Sequence, residues 1–519
     1  MFPHDFAKPD GPPGLGLSRE AERSEMTCPI LRDGFILPLA LLESIYGDEL
    51  TKILNDKLVI THTPKYGPPV VAVLYRRVKY SGIVCIHVPR VWVYALTYVR
   101  DIVPPPKILY PARMNTVATM QFTGELDHNQ TLVFNSVMRY HFSLDRIGRG
   151  CAAALLQLEA GRGKTFVAAA LIGELKLRTL YIVTKIPLQQ QAIREIKSVM
   201  PDWITVAGYS AGCTANIVVA VINTALKIPR KEASQFSFVI YDEVHTMYTK
   251  CRREIFRNTM TWVNLGMTAT PDRDDGMDAI YKKELALGGD SPGCQKGMIV
   301  ADSLAGYRKD DVLFDIRIMV MHYYGRDEHT QNLTGANDKL SPLLMQKQFV
   351  RDPDRMAMIS DILSELVNWS ENGKKHGIYV FCEERDQLDV VYEALSRHHD
   401  ISAPELEKDA GKFTGKSKKK EVGRLMQEKR IYLTTYGYSS VGLSNNKMTV
   451  EIFVTSRRNN MTQIIARVLR RNGDPSIPRY IVDIVDERTA LRHQYKTRKE
   501  DYDKRNGVTY IHRTVNVAG

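Results

Sequence analysis

Ala152-Ala153-Ala154-Leu155-Leu156-Gln157-Leu158-Glu159-Ala160-Gly161-Arg162-Gly163-Lys164-Thr165 is an apolar run that breaks into a glycine-bearing turn, and the stretch behind it, 166–177, is suited to helix. A strand that ends in such a turn and re-enters as a helix lets backbone N–H groups curl around phosphates, and the helix N-terminus favours their negative charge. On this reading Gly161, Arg162, Gly163, Lys164 and Thr165 bind the phosphates of ATP. Lys164 reaches the β- and γ-phosphates, and the Thr165 hydroxyl ligates Mg2+. The full pattern wants glycine six residues before the lysine, where Leu158 stands, but that position only starts the turn.

Downstream, Phe238-Val239-Ile240-Tyr241-Asp242-Glu243-Val244-His245 is a second apolar run, closed by two carboxylates. Ligands of open parallel sheets sit at the carboxyl ends of strands, so Asp242 is expected beside the phosphates. The two acids can divide the work, Asp242 holding Mg2+ through water and Glu243 orienting and deprotonating the attacking water. The competing reading is a strand ending in a solvated acidic turn, and the glycine turn upstream makes it the lesser one.

Around these two runs, further buried-strand candidates (179–184, 217–221, 265–268) alternate with segments long enough for helices, the pattern of a parallel sheet covered on both faces. A second such series begins near Arg355, with strand candidates 377–381, 430–434, 450–455 and 480–485. The expected fold class is therefore α/β, with two tandem parallel-sheet domains preceded by a small accessory domain of short strands. The expected division is a leader 1–27, an accessory domain 28–103, a first α/β domain 108–300, a linker or insertion 301–353, a second α/β domain 354–490 and a basic tail 491–519. Pro104-Pro105-Pro106 cannot continue a helix or a central strand, which suits a linker.

The chain has 519 residues, 44% hydrophobic and 25% charged, which is ordinary for a soluble globular protein and excludes wholesale disorder. A formal charge of +12 favours a polyanionic partner, because cations on the surface release phosphate counterions. A merely basic chain is the alternative. The seven cysteines are scattered and odd in number, without the short-spaced pairs of zinc sites, so reduced thiols in an intracellular protein are expected. No apolar run approaches the roughly 20 residues of a membrane span, and no membrane partner is expected. The sequence leaves the oligomeric state open.

With Asp242-Glu243-Val244-His245 as its box, the sequence resembles the superfamily 2 helicases of the DEAD/DEAH class, and the remaining motifs follow in that family's order. The resemblance implies two RecA-like domains that hydrolyse Mg-ATP and move on nucleic acid, with DNA favoured over RNA here. Gln130, in Leu126-Asp127-His128-Asn129-Gln130, resembles the glutamine that reads adenine. Thr184 and Lys185, in Tyr181-Ile182-Val183-Thr184-Lys185, and Asn223 and Thr224, in Val221-Ile222-Asn223-Thr224, resemble contacts to the nucleic-acid backbone. Thr268, Ala269 and Thr270, in Thr268-Ala269-Thr270-Pro271, resemble the segment coupling hydrolysis to strand movement, and His245 is expected to couple to Gln463.

In the second half, Phe381, Thr414, Gly415, Thr434 and Thr435 resemble further nucleic-acid contacts, and Gly442 opens the loop usually written Gly-x-Asp, with Ser444 in place of the acid. Gln463-Ile464-Ile465-Ala466-Arg467-Val468-Leu469-Arg470 resembles the arginine-finger helix, with Ala466 in place of glycine. Arg467 and Arg470 lie three apart and so share a helical face. Cations there can cap the γ-phosphate when the domains close, stabilising transition-state charge. A solvated basic face is the alternative. The box and the chain length are similar to the xeroderma-pigmentosum group B type and to helicases of large DNA viruses, including the poxvirus transcript-release type. That implies transcription or replication machinery as partners.

Outside the motor, Arg76, Arg77, Lys79, Tyr80, Arg90, Trp92, Tyr94 and Arg100 interleave cations and aromatics that suit phosphate attraction and base stacking, though Trp92 and Tyr94 suit a core equally well. Lys416, Lys418, Lys419 and Lys420 form a charge run expected in a loop. The rival functions are a duplex translocase that remodels without unwinding, a non-catalytic subunit switched by ATP, and a phosphate-turn kinase. The last leaves the second α/β half unexplained.

Overall fold

A computed structural model describes residues 29–31, 34–63, 69–80, 82–89, 107–108, 114–148, 152–159, 161–247, 254–273, 276–286, 294–295, 298–308, 314–335, 338–371, 373–397, 403–415, 417, 419–439, 443, 445–457, 461–469, 473–503, 505 and 507–517. The chain forms two compact units, one of 1–159 with 163–308 and one of 309–519 with 160–162.

In the first unit, strands β1 (Pro29–Leu31), β2 (Gly34–Pro38), β5 (Arg76–Tyr80), β6 (Ile83–Pro89) and β7 (Lys107–Ile108) form a five-stranded sheet in the order β5-β6-β2-β1-β7. Helices α1 (Leu39–Tyr46) and α2 (Leu50–Leu58) bury Leu42, Ile45, Leu50, Leu54 and Leu58 with Phe35, Leu37, Ile86 and Val88 of that sheet. Strands β3 (Val59–His62) and β4 (Val70–Val73) pair as a separate antiparallel hairpin. Ala72, Ile60 and Leu74 pack into the same core cluster as Met277, Ile280, Tyr281 and Leu285, so the hairpin is seated on the domain that follows.

That domain is built on strands β8 (Ala152–Gln157), β9 (Thr179–Val183), β10 (Val206–Gly208), β11 (Ile217–Val221), β12 (Phe238–Asp242), β13 (Val263–Thr268), β14 (Cys294–Gln295) and β15 (Met298–Val300). They form one sheet in the order β10-β11-β9-β12-β13-β8-β15-β14, parallel throughout except where β14 meets β15. Its inner strands are buried runs because helices cover both faces. Tyr181 and Val183 point into one core cluster, and Leu180 and Ile182 into the other. Helix α3 (His128–Tyr140) is capped at Asp127, whose carboxylate accepts from Gln130 N while the Gln130 amide oxygen accepts from Asp127 N.

In the second unit, β16 (Ile316–Tyr324), β19 (Gly377–Cys382), β20 (Ala410–Phe413), β21 (Ile431–Thr435), β22 (Met448–Phe453), β23 (Arg479–Asp486) and β24 (Val508–Asn516) form a fully parallel sheet in the order β20-β21-β19-β22-β23-β16-β24. A short hairpin, β17 (Ser370–Glu371) with β18 (Lys374–Lys375), precedes β19. The expected pair of parallel sheets is present.

Two stretches differ from their reading. The segment 301–353, expected as linker or insertion, contains β16, which lies between β23 and β24. The segment 491–519, expected as a basic tail, contains helix His493–Asp503 and the edge strand β24. β16 is largely buried although it carries Arg317, His322 and two methionines, residues of modest strand propensity; β24 is largely exposed and therefore polar. Lys419 and Lys420, expected in a loop, open helix Lys419–Glu428. The leader, the proline triplet, Arg90, Trp92, Tyr94, Arg100, Lys416, Lys418, Gly442, Ser444 and Arg470 lie outside the described residues.

Candidate nucleotide site and nucleic-acid interface

The carboxyl ends of β12, β13 and β8 lie side by side, with Asp242 opposite Met267 and Thr268 opposite Gln157. The turn after β8 therefore meets the acids after β12 across a single strand. Gly161 and Gly163 adopt φ of 84° and 81°, which strain any other residue, and a Cβ on Gly163 would fall 2.2 Å from Gln130 Nε2 and displace that amide. The same closeness puts the Gln130 amide against the turn. Helix α4 (Lys164–Leu175) starts at the lysine and presents its N-terminus to the turn.

Lys164 Nζ lies 3.1 Å from Glu243 Oε1 and donates to the Leu158 carbonyl at 3.3 Å. Glu243 itself has φ of 53°, a left-handed backbone that costs a non-glycine residue about 1–3 kcal/mol and persists where the surroundings enforce it. Burial alone would raise the Glu243 carboxyl, but Lys164 and His245 outweigh it and hold the group below its ordinary value. Asp242 moves the other way: burial raises it first, then the neighbouring Glu243 charge, and Lys164 only partly offsets them. A buried acid of this kind asks for a cation. The Thr165 hydroxyl and the Asp242 carboxylate, hard oxygen donors close to the same buried phenol, suit a magnesium ion.

That phenol belongs to Tyr181, fully buried beside Thr165 and Asp242. The sequence reading quoted Tyr181 only as part of a strand, because an apolar run conceals which member faces the site. Behind the acids, His245 Nδ1 lies 2.7 Å from Thr268 Oγ1, and Thr270 N donates to the same hydroxyl at 3.1 Å. Burial lowers the His245 imidazole first, and Lys164 and Arg273 add to that against the pull of Glu243. Arg273 Nη1 donates to the His245 carbonyl, and the buried Tyr281 hydroxyl donates to the Pro271 carbonyl. These two bonds, one on His245 and one on Pro271, are not visible in the sequence, since neither donor belongs to a quoted motif. Tyr281 lies on helix α5 (Asp278–Leu285), in the core cluster that receives the β3–β4 hairpin.

The family model of the type III restriction enzyme res subunit matches residues 124–273. "Putative ATP-dependent RNA helicase QP509L" of African swine fever virus is 30% identical over 370 residues, which cover 67% of this chain and 68% of that protein. The chain belongs to the superfamily 2 helicases. "DNA 3'-5' translocase XPB2" of Sulfurisphaera tokodaii is 28% identical over 127 residues, covering 24% of this chain and 29% of that one. Among solved structures, "The fragment structure of a putative HsdR subunit of a type I restriction enzyme from Vibrio vulnificus YJ016" has a TM-score of 0.50 at 16% identity, covering 77% of this chain and 70% of that one. That likeness concerns the fold, two RecA-like domains.

For this superfamily 2 helicase, the expected nucleic-acid contacts divide by exposure. Lys185, Asn223, Thr224 and Gly415 are exposed, and Thr184, Thr414 and Thr435 are half-buried. Those of the first unit follow the carboxyl ends of the adjacent strands β9 and β11. Phe381 and Thr434 are corrections. Phe381 is fully buried, stacked on Tyr379 and Tyr436, and Thr434 is spent on the Phe413 carbonyl at 2.9 Å. Both stand in strands buried on both faces, so a motif read by position cannot place them on the surface.

The helix carrying Gln463, α6 (Met461–Ile465), ends before Arg467. Arg467 N bonds Ile464 O at 2.9 Å, a tighter turn than the helix, and the Val468 carbonyl is taken by Arg479 Nε at 2.7 Å. The expected shared helical face of Arg467 and Arg470 is therefore corrected at Arg467. That arginine is only 6% exposed and donates from Nη1 to the Leu443 carbonyl at 2.7 Å. Among the described residues no cluster of three metal-type ligands occurs, and no helix is long and apolar enough to cross a membrane.

Proposed function

We propose that the chain is an ATP-driven nucleic-acid motor in which Lys164 neutralises the β- and γ-phosphates, Glu243 activates the attacking water, and Thr165 and Asp242 hold Mg2+. The observation that carries this reading is Lys164 Nζ at 3.1 Å from Glu243 Oε1, at the strand ends where a superfamily 2 helicase binds ATP. Without nucleotide the ammonium is satisfied by the base; phosphates entering the turn compete for it and leave the Glu243 carboxylate free for water. Mg2+ would supply charge stabilisation at the phosphates, while Tyr181 fixes Asp242 and Gln130 contacts the adenine side of the turn.

Residues 108–300 are assigned to ATP binding and 354–490 to the partner domain, which Arg467, Arg470 and Gly442 equip to cap the nucleotide. Lys185, Asn223, Thr224, Thr414, Gly415 and Thr435 are assigned to the strand track. The viral relative is named for RNA and the archaeal one for translocation on DNA. The basic charge suits either polyanion, and we favour DNA. Translocation on duplex without unwinding is the second reading, supported by the likeness to the archaeal translocase. Transcription or replication machinery of a viral host cell is the proposed setting.

Steady-state ATP hydrolysis with single-stranded DNA, duplex DNA or RNA tests the reading. Hydrolysis is expected to rise with one of them, Lys164→Ala to abolish it, and Glu243→Gln to bind ATP without turnover. A rate indifferent to every polynucleotide, or full turnover in Glu243→Gln, overturns it.

A further inference from the structure

The first unit ends at Arg308, and residues 309–315 separate that end from β16 of the second unit. Asn129, on the first turn of α3 and 4% exposed, holds both backbone polar groups of this last residue. Its Oδ1 accepts from Arg308 N at 2.9 Å, and its Nδ2 donates to the Arg308 carbonyl at 3.0 Å. A short carboxamide offers one acceptor and one donor side by side, so the pair of bonds fixes the peptides on both sides of one Cα.

His128 adds a third tie, with Nε2 at 2.9 Å from the Gly306 carbonyl. A carbonyl only accepts, so this nitrogen carries the proton. Gly306 has φ of 83°, and a Cβ there would lie 3.8 Å from Leu132 Cδ1, one turn further along α3. Tyr307, between the two tied residues, packs against the same core cluster as Leu132. Residues 306–308 are thus laid across α3 at positions 128, 129 and 132.

Gln130 is the next residue of that helix. Its backbone N–H is capped by Asp127, and its amide lies against the phosphate turn. One helical turn therefore carries both the exit of the chain and the glutamine assigned to adenine. Releasing 305–308 would lengthen the connection to the second unit, and the effective concentration of tethered parts falls roughly as the −3/2 power of tether length.

We propose that Asn129 is a positioning residue of the motor: with His128 it anchors the connection to the second domain on the helix that bears Gln130. The cations assigned to cap the nucleotide then start from a fixed point on the ATP-binding domain. The proposal rests on the motor reading above, with Gln130 on the adenine side and the second domain capping the phosphates. In the run Leu126-Asp127-His128-Asn129-Gln130 the family resemblance gives a role to Gln130 alone, and the partner of Asn129 lies 179 residues away.

The test uses the full chain with Asn129→Ala, His128→Ala and Gln130→Ala. Hydrogen exchange reads the amides of 304–308. Steady-state hydrolysis gives kcat and KM for ATP with whichever of single-stranded DNA, duplex DNA and RNA stimulates most. In Asn129→Ala these amides are expected to exchange about tenfold faster. There kcat is expected to fall about fivefold while KM changes less than about twofold. Gln130→Ala is expected to do the reverse, raising KM about tenfold with wild-type exchange at 304–308. His128 is exposed, so His128→Ala leaves the core intact; it is expected to move exchange and kcat in the same direction by about threefold. If Asn129→Ala does not fold, wild-type exchange and kcat in His128→Ala overturn the proposal. Wild-type exchange or wild-type kcat in a folded Asn129→Ala overturns it, and so does a KM raised as far as in Gln130→Ala, since Asn129 would then act through the glutamine. If Gln130→Ala keeps its KM while Lys164→Ala is inert, the adenine assignment falls and takes the proposal with it, and the ATP site stands.

Discussion

His245 and Thr268 are joined by a hydrogen bond of 2.7 Å between Nδ1 and Oγ1, which binds the strand end carrying the acids to the strand end carrying Thr268–Pro271. The same hydroxyl accepts from Thr270 N, so one atom fixes both the imidazole and the following turn. Thr268→Val keeps the volume and removes the acceptor. Losing one buried bond of about 1–1.5 kcal/mol corresponds to roughly tenfold in rate. We expect ATP binding to persist while stimulation of hydrolysis by nucleic acid falls about tenfold; stimulation equal to wild type would show that the bond does not couple the two strands.

Tyr181 makes a separate claim on the metal. Its phenol is buried beside Thr165 and Asp242, the two oxygens assigned to Mg2+. Partners of metal ligands are worth roughly 10- to 100-fold in metal affinity. Tyr181→Phe preserves the ring packing, so the concentration of Mg2+ giving half-maximal hydrolysis is expected to rise about tenfold, with kcat at saturating Mg2+ close to wild type. An unchanged Mg2+ titration would remove Tyr181 from the site.

The geometry of the glycine turn and of the acids was legible because a local pattern dictates it: glycine where φ is positive, lysine at a helix start, carboxylates at the end of an apolar strand. Long-range facts were less so. β16 lies between β23 and β24, and nothing local to Ile316–Tyr324 names neighbours more than 150 residues away in the chain. Phe381 and Thr434 follow the family's motif order, yet both stand in strands buried on both faces. The burial of Arg467 was not legible, because the tertiary acceptor at Leu443 is invisible in sequence.

Arg355 and Asp486 form a fully buried pair in the second unit, with Nε to Oδ1 at 2.7 Å and Nη2 to Oδ2 at 3.2 Å. Burial raises the Asp486 carboxyl, and Arg355 opposes that. Asp486→Asn strands the guanidinium, and the expected loss is about 3–5 kcal/mol of stability, measured by urea unfolding. Arg355→Met combined with Asp486→Leu should recover most of it, since two apolar side chains replace both charges. If the double variant is as unstable as the single, the pair is not what sets the cost.

His141 adds a pH dependence of its own to the first unit. It is 1% exposed, its Nδ1 lies 3.3 Å from the Ala153 carbonyl, and burial, aided by Arg146, pushes the imidazole down to about 4. A folded value below the unfolded one means that the neutral ring's contribution is whole above about pH 6.5 and is lost as pH falls through about 4. A shift of this size corresponds to at most about 3 kcal/mol. In His141→Gln that part of the acid sensitivity disappears, so the fall in thermal midpoint between about pH 6.5 and about pH 4 should be smaller than in wild type. Parallel pH curves for the two proteins would mean that the imidazole reaches solvent and takes up its proton in the folded chain.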